Sequence, residues 1–531
     1  MSQANYDVLV IGSGAAGCVI AGYLAENTSA RIAVLEAGAK DKDPMIHIPA
    51  GYGQILAKDH HVWDYDTVPQ HGSVRRFRMG KVVGGGTSIN AMCYVRGQKR
   101  DFDHWHEASG HDQDWSFENI WQTFIEQEKN DTFHNKHHGV KGNLAVQLPH
   151  GINELNQYCL KSFQEYGLPY NPDYNGDSQV GVSPVQSNVG GQKRCSAYVA
   201  HLKRHVESGR VTLLTDHTVR KILMEGTTAN GVEVDHNGSL KVIRAQQVIL
   251  SAGAVQSPKI LKFSGIGPAA ELSQFGIDVV VDLPGVGENL HDHPIIPVSA
   301  YVKGVLGYQS AALGFGTIKA GMRYYLTKDG PASGNGIETV SYWNPLDLTA
   351  EPTVQCYHEP IISTNGLTPT GTRSGITFAL VVLQPRSRGS VKLASRDPLA
   401  MPLIDPNFIG DEYDLEVGVQ AVKSMRDIMK QESLAQVIEE EVMPGAKVQS
   451  DAEIGEFVKQ VATTMWHPVG TCRMGSDPLS VVDANLQVHG VQNLHVIDAS
   501  IMPTITSGNT NAPTQALALI AAKRFAKRFY A

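Results

Sequence analysis

Several things are scarce in this 531-residue chain, and each scarcity removes a class of function. The six cysteines (Cys18, Cys93, Cys159, Cys195, Cys356, Cys472) are scattered with no CxxC pair, which predicts reduced, buried thiols, no disulfide framework and no metal site. Positive charge is in deficit: 45 Lys and Arg face 53 Asp and Glu. The net charge of −8 argues against a nucleic-acid partner, since phosphate binding needs a basic face. No uninterrupted apolar stretch approaches the ~18 residues of a membrane span, and no repeat or low-complexity tract is present. The first apolar run begins at Tyr6, too early for a secretory leader to precede it, so the expectation is a cytoplasmic protein. With 42% apolar and 18% charged residues the chain reads as globular, and its length exceeds one hydrophobic core, so two lobes are expected.

What the chain does contain starts at that first run. Tyr6-Asp7-Val8-Leu9-Val10-Ile11 has the form of a strand buried in a parallel sheet, and it runs directly into Gly12-Ser13-Gly14-Ala15-Ala16-Gly17. In such a strand–turn–helix unit Gly12 permits the tight turn, Gly14 lets backbone approach a pyrophosphate, and Gly17 lets the helix pack closely on the strand. N–H groups at the helix start then face the phosphates. A second apolar run, Arg31-Ile32-Ala33-Val34-Leu35, ends in Glu36, placed to accept hydrogen bonds from a ribose diol. An acid at that position disfavours a phosphorylated ribose and hence NADP.

Residues 41–79, rich in His, Pro and aromatics, read as a long irregular segment covering a site. Gly80-Lys81-Val82-Val83-Gly84-Gly85-Gly86 follows, a second glycine block predicted to feed a helix and to press backbone against a flat or anionic ligand. Helices are predicted over about 101–131 and 196–206, and strands at 211–215, 232–234 and 247–251. Residues 295–460 change to longer alternating strands, with a helix near 411–433, and Leu494-His495-Val496-Ile497-Asp498 returns to the style of the first lobe. The predicted class is α/β: a Rossmann-like nucleotide-binding lobe of residues 1–40, 80–150, 195–294 and 470–531, and a sheet-based α+β substrate lobe of 151–194 and 295–469. At the C-terminus Lys523, Arg524, Lys527 and Arg528 interleave with Leu517, Ile520, Phe525 and Phe529. A basic amphipathic end docks either on its own protein or, peripherally, on a membrane.

Taken in order, these blocks resemble the glucose–methanol–choline (GMC) family of FAD oxidoreductases. The resemblance rests on the first glycine turn with Glu36, the Gly80–Asn90 block, Gly253-Ala254-Val255-Gln256-Ser257-Pro258 with Ser264-Gly265-Ile266-Gly267, Pro284-Gly285-Val286-Gly287-Glu288-Asn289-Leu290, Trp466-His467-Pro468, and Asn509-Thr510-Asn511-Ala512-Pro513. It spans essentially the whole chain. It implies that Gly12, Gly14, Ala15, Ala16, Gly17 and Glu36 serve the adenosine diphosphate of FAD. Trp63, Val82, Gly85 and Asn90 to Cys93 (with Ala91 and Met92) would lie along the isoalloxazine, and Val219 at the adenine. Ala252, Asp498, Ala499 and Thr514 would flank the pyrophosphate, ribityl chain and ring. His467 matches the family's catalytic histidine and Asn511 is matched to its partner. His291 and His293 are read as structural.

The chemistry needs those side-chain types. Alcohol oxidation removes a hydroxyl proton and a carbon-bound hydride; a histidine takes the proton, an amide donor supports the developing alkoxide, and the flavin takes the hydride. The resemblance therefore implies oxidation of a primary alcohol, or a sugar or polyol such as L-sorbose, with a quinone, dye or similar acceptor. Choline oxidation and direct use of O2 are the alternatives within the family. Ile89 stands where some relatives carry a flavin-linking histidine, so FAD is expected to be non-covalent. Ala91 lacks the polar group some relatives place there. Met465 is bulkier than its counterparts in oxygen-using relatives, favouring a dehydrogenase. Glu338, with Met465 and Trp466, is a candidate substrate contact, either a cation-holding carboxylate or an acid without that role. A nicotinamide enzyme would leave the second glycine block and the His/Asn pair without a job, and a non-catalytic flavoprotein would not need that pair.

Overall fold

The run at the N-terminus forms the strand Tyr6–Ile11, whose last four residues are buried on both faces, which is why it shows no polar alternation. It sits inside a seven-stranded sheet in the order Val211–Leu214, Ile32–Leu35, Tyr6–Ile11, Ser239–Leu250, Thr228–His236, Thr218–Glu225, with Leu494–Val496 also paired to Ser239–Leu250. The pairings on the Tyr6–Ile11 side and to Leu494–Val496 are parallel; the long strands of 218–250 form an antiparallel meander. The computed structural model describes residues 5–363 and 369–530.

A second seven-stranded sheet is antiparallel throughout, in the order Ile438–Met443, Pro294–Val302, Gly375–Val382, Val354–Glu359, Thr339–Trp343, Gly181–Pro184, with Thr463–Thr464 on the side of Pro294–Val302. Helices Glu154–Glu165, Glu412–Met429 and Asp451–Val461 cover one face, where Val298, Phe378, Cys356, Val422 and Val458 share a core. The opposite face, with Ile295, Ile337, Tyr357 and Ala379, packs against Cys93 and Val95. Strand alternation therefore sends Cys356 and His358 into the helical layer, where His358 stacks on Phe163, and Tyr357 toward the other side. Both helices and sheets are present in the α/β sense expected.

Several local expectations are corrected. Residues 41–79 are not irregular: they hold the short helices Pro44–His47 and Gly51–Ala57 and one strand of the hairpin Val62–Asp66 with Arg76–Gly80. Asp43, an N-cap accepting from Met45 N, and Pro44 at the first position start that segment, a signal present in the sequence. The second glycine block feeds only the one-turn 3-10 helix Gly85–Ser88, because Gly84 and Gly85 sit at φ 91° and 53°. The last helix, Asn511–Tyr530, is docked on its own protein: Leu517, Ile520 and Phe525 are buried, Lys523 pairs with Glu126, and Arg524 bridges Asp112 and Asp114. All six cysteines are free and buried. Among the described residues no helix is long and apolar enough to cross a membrane, and no His/Cys/Asp/Glu cluster could hold a metal.

Candidate active site

The first glycine turn is held by contact distances that leave no room for side chains. A Cβ on Gly17 would lie 2.0 Å from the carbonyl oxygen of Gly12, and one on Gly12, at φ +97°, would lie 2.4 Å from that of Ser251. A Cβ on Gly85 would meet Gly14 Cα at 2.7 Å, so the two glycine blocks press together into one wall. Gly14 and Gly86 are different: nothing lies within 4 Å of where their Cβ would stand, and both line a long cavity. Glu36 is on the same wall; its Oε2 accepts from Ser13 N and Oγ, and its Oε1 from Gly38 N, at 3.1, 2.7 and 2.8 Å. Burial raises its pKa despite those donors. A carboxylate has about four lone-pair sites, so acceptor capacity remains for hydroxyl groups.

The cavity runs from this turn to the second sheet. Its walls include Gly12, Gly14, Ala15, Ala16, Glu36, Trp63, Gly85, Asn90, Ala91, Met92, Cys93, Val219, Ala252, Asp498, Ala499, Asn511 and Thr514, as well as Met465, Trp466 and His467. Trp466 leaves its buried indole Nε1–H without a protein acceptor. An open glycine cradle beside a helix start at Ala15, an acid with spare acceptor capacity, and an unmatched donor at the far end together fit a dinucleotide with a flat ring system.

Three expected contacts are placed elsewhere. Gly17 acts behind the wall, through helix–strand packing. Val82 is buried in a cluster with Ile46, Tyr52, Ile55 and Ile89 and does not itself line the cavity. Glu338 is directed away from the cavity, its Oε1 bonded by Tyr308 Oη and its Oε2 by Asn153 N. A different acid of the same sheet, Glu359, does line the cavity.

The partner of His467 is also not the one expected. Asn509 Nδ2 lies 3.2 Å from His467 Nε2, and Asn509 Oδ1 accepts from Tyr357 Oη at 2.6 Å. Asn511 instead donates to Asn188 Oδ1 at 3.1 Å and accepts from Gln515 Nε2 at 3.0 Å, one helical turn ahead of it. Both asparagines belong to the quoted Asn-Thr-Asn block, and sequence spacing does not separate residues two apart at the entrance to a helix. His293, read as structural, is the other neighbour of His467: their Nδ1 atoms are 2.9 Å apart, and His293 Nε2 meets the carbonyl of Leu383 at 2.9 Å. The Leu383 carbonyl only accepts, so His293 carries its proton on Nε2 and accepts at Nδ1. His467 must then carry its proton on Nδ1, which leaves Nε2 as the acceptor at the cavity, where it faces Asn509 Nδ2.

The electrostatics agree with neutral rings. Burial, with His293 alongside, holds His467 well below the usual imidazole range, and burial lowers His293 to about 4. Asp292, pushed up to about 7 by burial, accepts from His467 N at 2.9 Å and from Thr464 Oγ1. It fixes the backbone on which His467 sits, next to Trp466 at φ 59°. A neutral imidazole whose Nε2 accepts from an amide N–H at the cavity, with an aromatic hydroxyl behind that amide, is a proton acceptor paired with a donor for an oxygen anion.

Comparison with known proteins bears on this arrangement. Residues 6–295 and 385–518 match the N- and C-terminal family models described as GMC oxidoreductase. The alcohol dehydrogenase [acceptor] of Pseudomonas putida is 35% identical over 98% of this chain and 95% of its own length. An oxygen-dependent choline dehydrogenase of Chromohalobacter salexigens is 36% identical over 97% and 94%. Among solved structures, pyridoxine 4-oxidase from Mesorbium loti superposes with a TM-score of 0.89 at 30% identity, covering 98% of this chain and 99% of the other. A variant of the Aspergillus oryzae formate oxidase, studied for FAD modification, gives 0.91 at 25% identity, covering 100% and 99%.

Proposed function

Since the chain belongs to the GMC oxidoreductase family and is an FAD-dependent oxidoreductase, we propose that it oxidises a primary alcohol, or a sugar or polyol such as L-sorbose, to the aldehyde and passes the electrons to an acceptor such as a quinone. The observation that supports this most directly is the lone pair of His467 Nε2, held toward the cavity by the Nδ1 bond to His293.

In this reading His467 Nε2 takes the substrate's hydroxyl proton, and its burial keeps it unprotonated and ready. Asn509 Nδ2 turns from His467 to the substrate oxygen as that proton leaves, donating to the developing alkoxide without adding charge. Tyr357, which donates to Asn509 Oδ1, fixes the amide so that its N–H2 side faces the reacting oxygen. Bound FAD supplies the hydride acceptor. Glu36 and the Gly12–Gly17 turn hold its adenosine half, and Ala91 to Cys93 with Trp466 border its ring. The nucleotide lobe follows the first sheet and the substrate lobe the second. Ile89, on the wall, has no nucleophilic atom, so FAD is held without a covalent bond, and denaturation in acid should release all yellow colour into the filtrate. Met465 beside His467 obstructs the approach of O2 and favours a dehydrogenase.

Anaerobic titration of the purified holoenzyme with L-sorbose, a short primary alcohol and choline tests this reading. Bleaching of the flavin band near ~450 nm by either of the first two, with slow recolouring in air, is the expected result. A flavin band that no alcohol bleaches would refute the reaction, and rapid recolouring in air would make the enzyme an oxidase.

A further inference from the structure

Glu359 is the buried acid that the proposed chemistry leaves without a task. It ends the strand Val354–Glu359, it is 4% exposed, and its Oε2 has no hydrogen-bond partner. A carboxylate oxygen shut away from water with no donor costs folding free energy, so its presence calls for a reason. Burial alone pushes its pKa well above the carboxylate range.

Its position gives the reason. Tyr357, two residues earlier on the same strand face, bonds Asn509 and so marks the reacting end of the cavity. Two strand residues advance the chain by about 7 Å, which sets Glu359 that far beyond Tyr357 along the same wall. Tyr52 and Cys93 line the cavity with it, and Glu359 raises the pKa of both groups, so the three lie close together. Neither Tyr52, which donates to the Asn335 carbonyl, nor Cys93, a weak donor facing the Ala91 carbonyl, supplies the missing hydrogen bond. The far end of the substrate pocket is thus walled by aromatic and apolar groups around one acceptor oxygen.

Resting on the proposed alcohol oxidation, we infer that Glu359 is a specificity-determining residue that binds a protonated amino group at the far end of the substrate, so that the preferred substrate is an amino alcohol. An N–H donor satisfies the unmatched oxygen, and its positive charge stabilises the ionised carboxylate that burial otherwise disfavours. A quaternary ammonium offers charge but no N–H, and a neutral hydroxyl offers the donor without the charge. Neither meets both needs. The carbinol end of such a substrate falls at His467 and Asn509, with a chain of roughly five carbons between the two ends.

The test uses the holoenzyme and four probes: 5-amino-1-pentanol, 1-pentanol, 1,5-pentanediol and choline. The expected result is a kcat/KM for the amino alcohol at least tenfold above that for 1-pentanol and the diol, residing in KM. Glu359→Gln, checked for FAD content, should collapse that ratio to below about threefold. Pentylamine, which cannot be oxidised as an alcohol, should perturb the flavin spectrum on binding and do so at least tenfold more weakly with Glu359→Gln. Equal treatment of amino alcohol, alkanol and diol by the wild-type enzyme, preference for choline, or pentylamine binding unchanged by the substitution would each overturn the inference. Loss of the inference in this way leaves the alcohol oxidation standing. If no alcohol bleaches the flavin, the proposed reaction fails, and pentylamine binding alone decides the role of Glu359.

Discussion

Replacing Asn509 and Asn511 by alanine, one at a time, separates two residues that stand two positions apart and do different things. Asn509 donates to His467 Nε2 and accepts from Tyr357; Asn511 bonds Asn188 and Gln515. Removing a donor aimed at a developing oxyanion costs about 2.7–4 kcal/mol in the transition state, or about 10²–10³ in rate. Asn509→Ala should therefore slow anaerobic flavin reduction by that factor while FAD stays bound. Asn511→Ala strips one partner each from Asn188 and Gln515, which are 2% and 0% exposed. An unsatisfied buried polar group costs about 1–3 kcal/mol, so this variant should lose thermal stability while its reduction rate stays within about tenfold of wild type. Stopped-flow reduction at saturating alcohol gives the rates, and flavin fluorescence on heating gives the stabilities. A hundredfold loss in Asn511→Ala, with Asn509→Ala near wild type, would refute the pairing of His467 with Asn509.

Other consequences can be checked as directly. His467→Ala should lower the flavin reduction rate by about 10²–10⁴ with full FAD content, and near-normal reduction would remove the imidazole from the proton transfer. Gly17→Ala forces a Cβ to 2.0 Å from the Gly12 carbonyl, so the helix must shift off the strand; the protein should purify poor in FAD and melt several degrees early, and normal FAD content would contradict the packing argument. Acid should destabilise the fold. Burial lowers His201 and His293 to about 4 and His291, His358 and His495 to about 3, so the unfolded chain takes up protons below pH 6.5 that the folded one refuses. This stability is complete above pH 6.5 and is lost as pH falls toward 4, about 3 kcal/mol for His293 alone. Asp292, raised to about 7, works in the opposite sense, as do Glu36, Asp101, Glu359 and Asp498; the expectation is that the five imidazoles outweigh them. A melting temperature that holds level or rises from pH 7 to 5 would show the balance to be wrong.

The nucleotide end of the site was legible because its chemistry is local. A strand, three glycines and an acid within thirty residues report their geometry through spacing, and Glu36 and Gly14 line the cavity as that spacing requires. The substrate end is written in long-range contacts. His293, Leu383, His467 and Asn509 form one chain of hydrogen bonds across more than two hundred residues of sequence, and no spacing rule links them. Glu338 and Glu359 illustrate the same limit: both are acids near β-strands of one sheet, but which one faces the cavity depends on register. Period-two alternation along Val354–Glu359 contains the answer for Glu359, since it shares a face with Tyr357. That signal becomes readable only once a cavity contact on the strand is known.

The connectivity of the first sheet also bears on how the protein is made. Its strand Tyr6–Ile11 pairs with Ile32–Leu35 nearby, but its other neighbour is Ser239–Leu250, and that strand in turn takes Leu494–Val496. At about 5–20 residues per second, a ribosome needs roughly 10–40 s to travel the two hundred residues between the first two strands and the third. Throughout that interval the apolar edge of the growing sheet has no partner. The glycine turn meets its backing at Ser251 only afterwards, and His467 and Asn509 follow more than two hundred residues later still. Flavin therefore cannot be enclosed until His467 and Asn509 have been made, and until Ser239–Leu250 arrives the free edge of Tyr6–Ile11 is open to pairing with another copy.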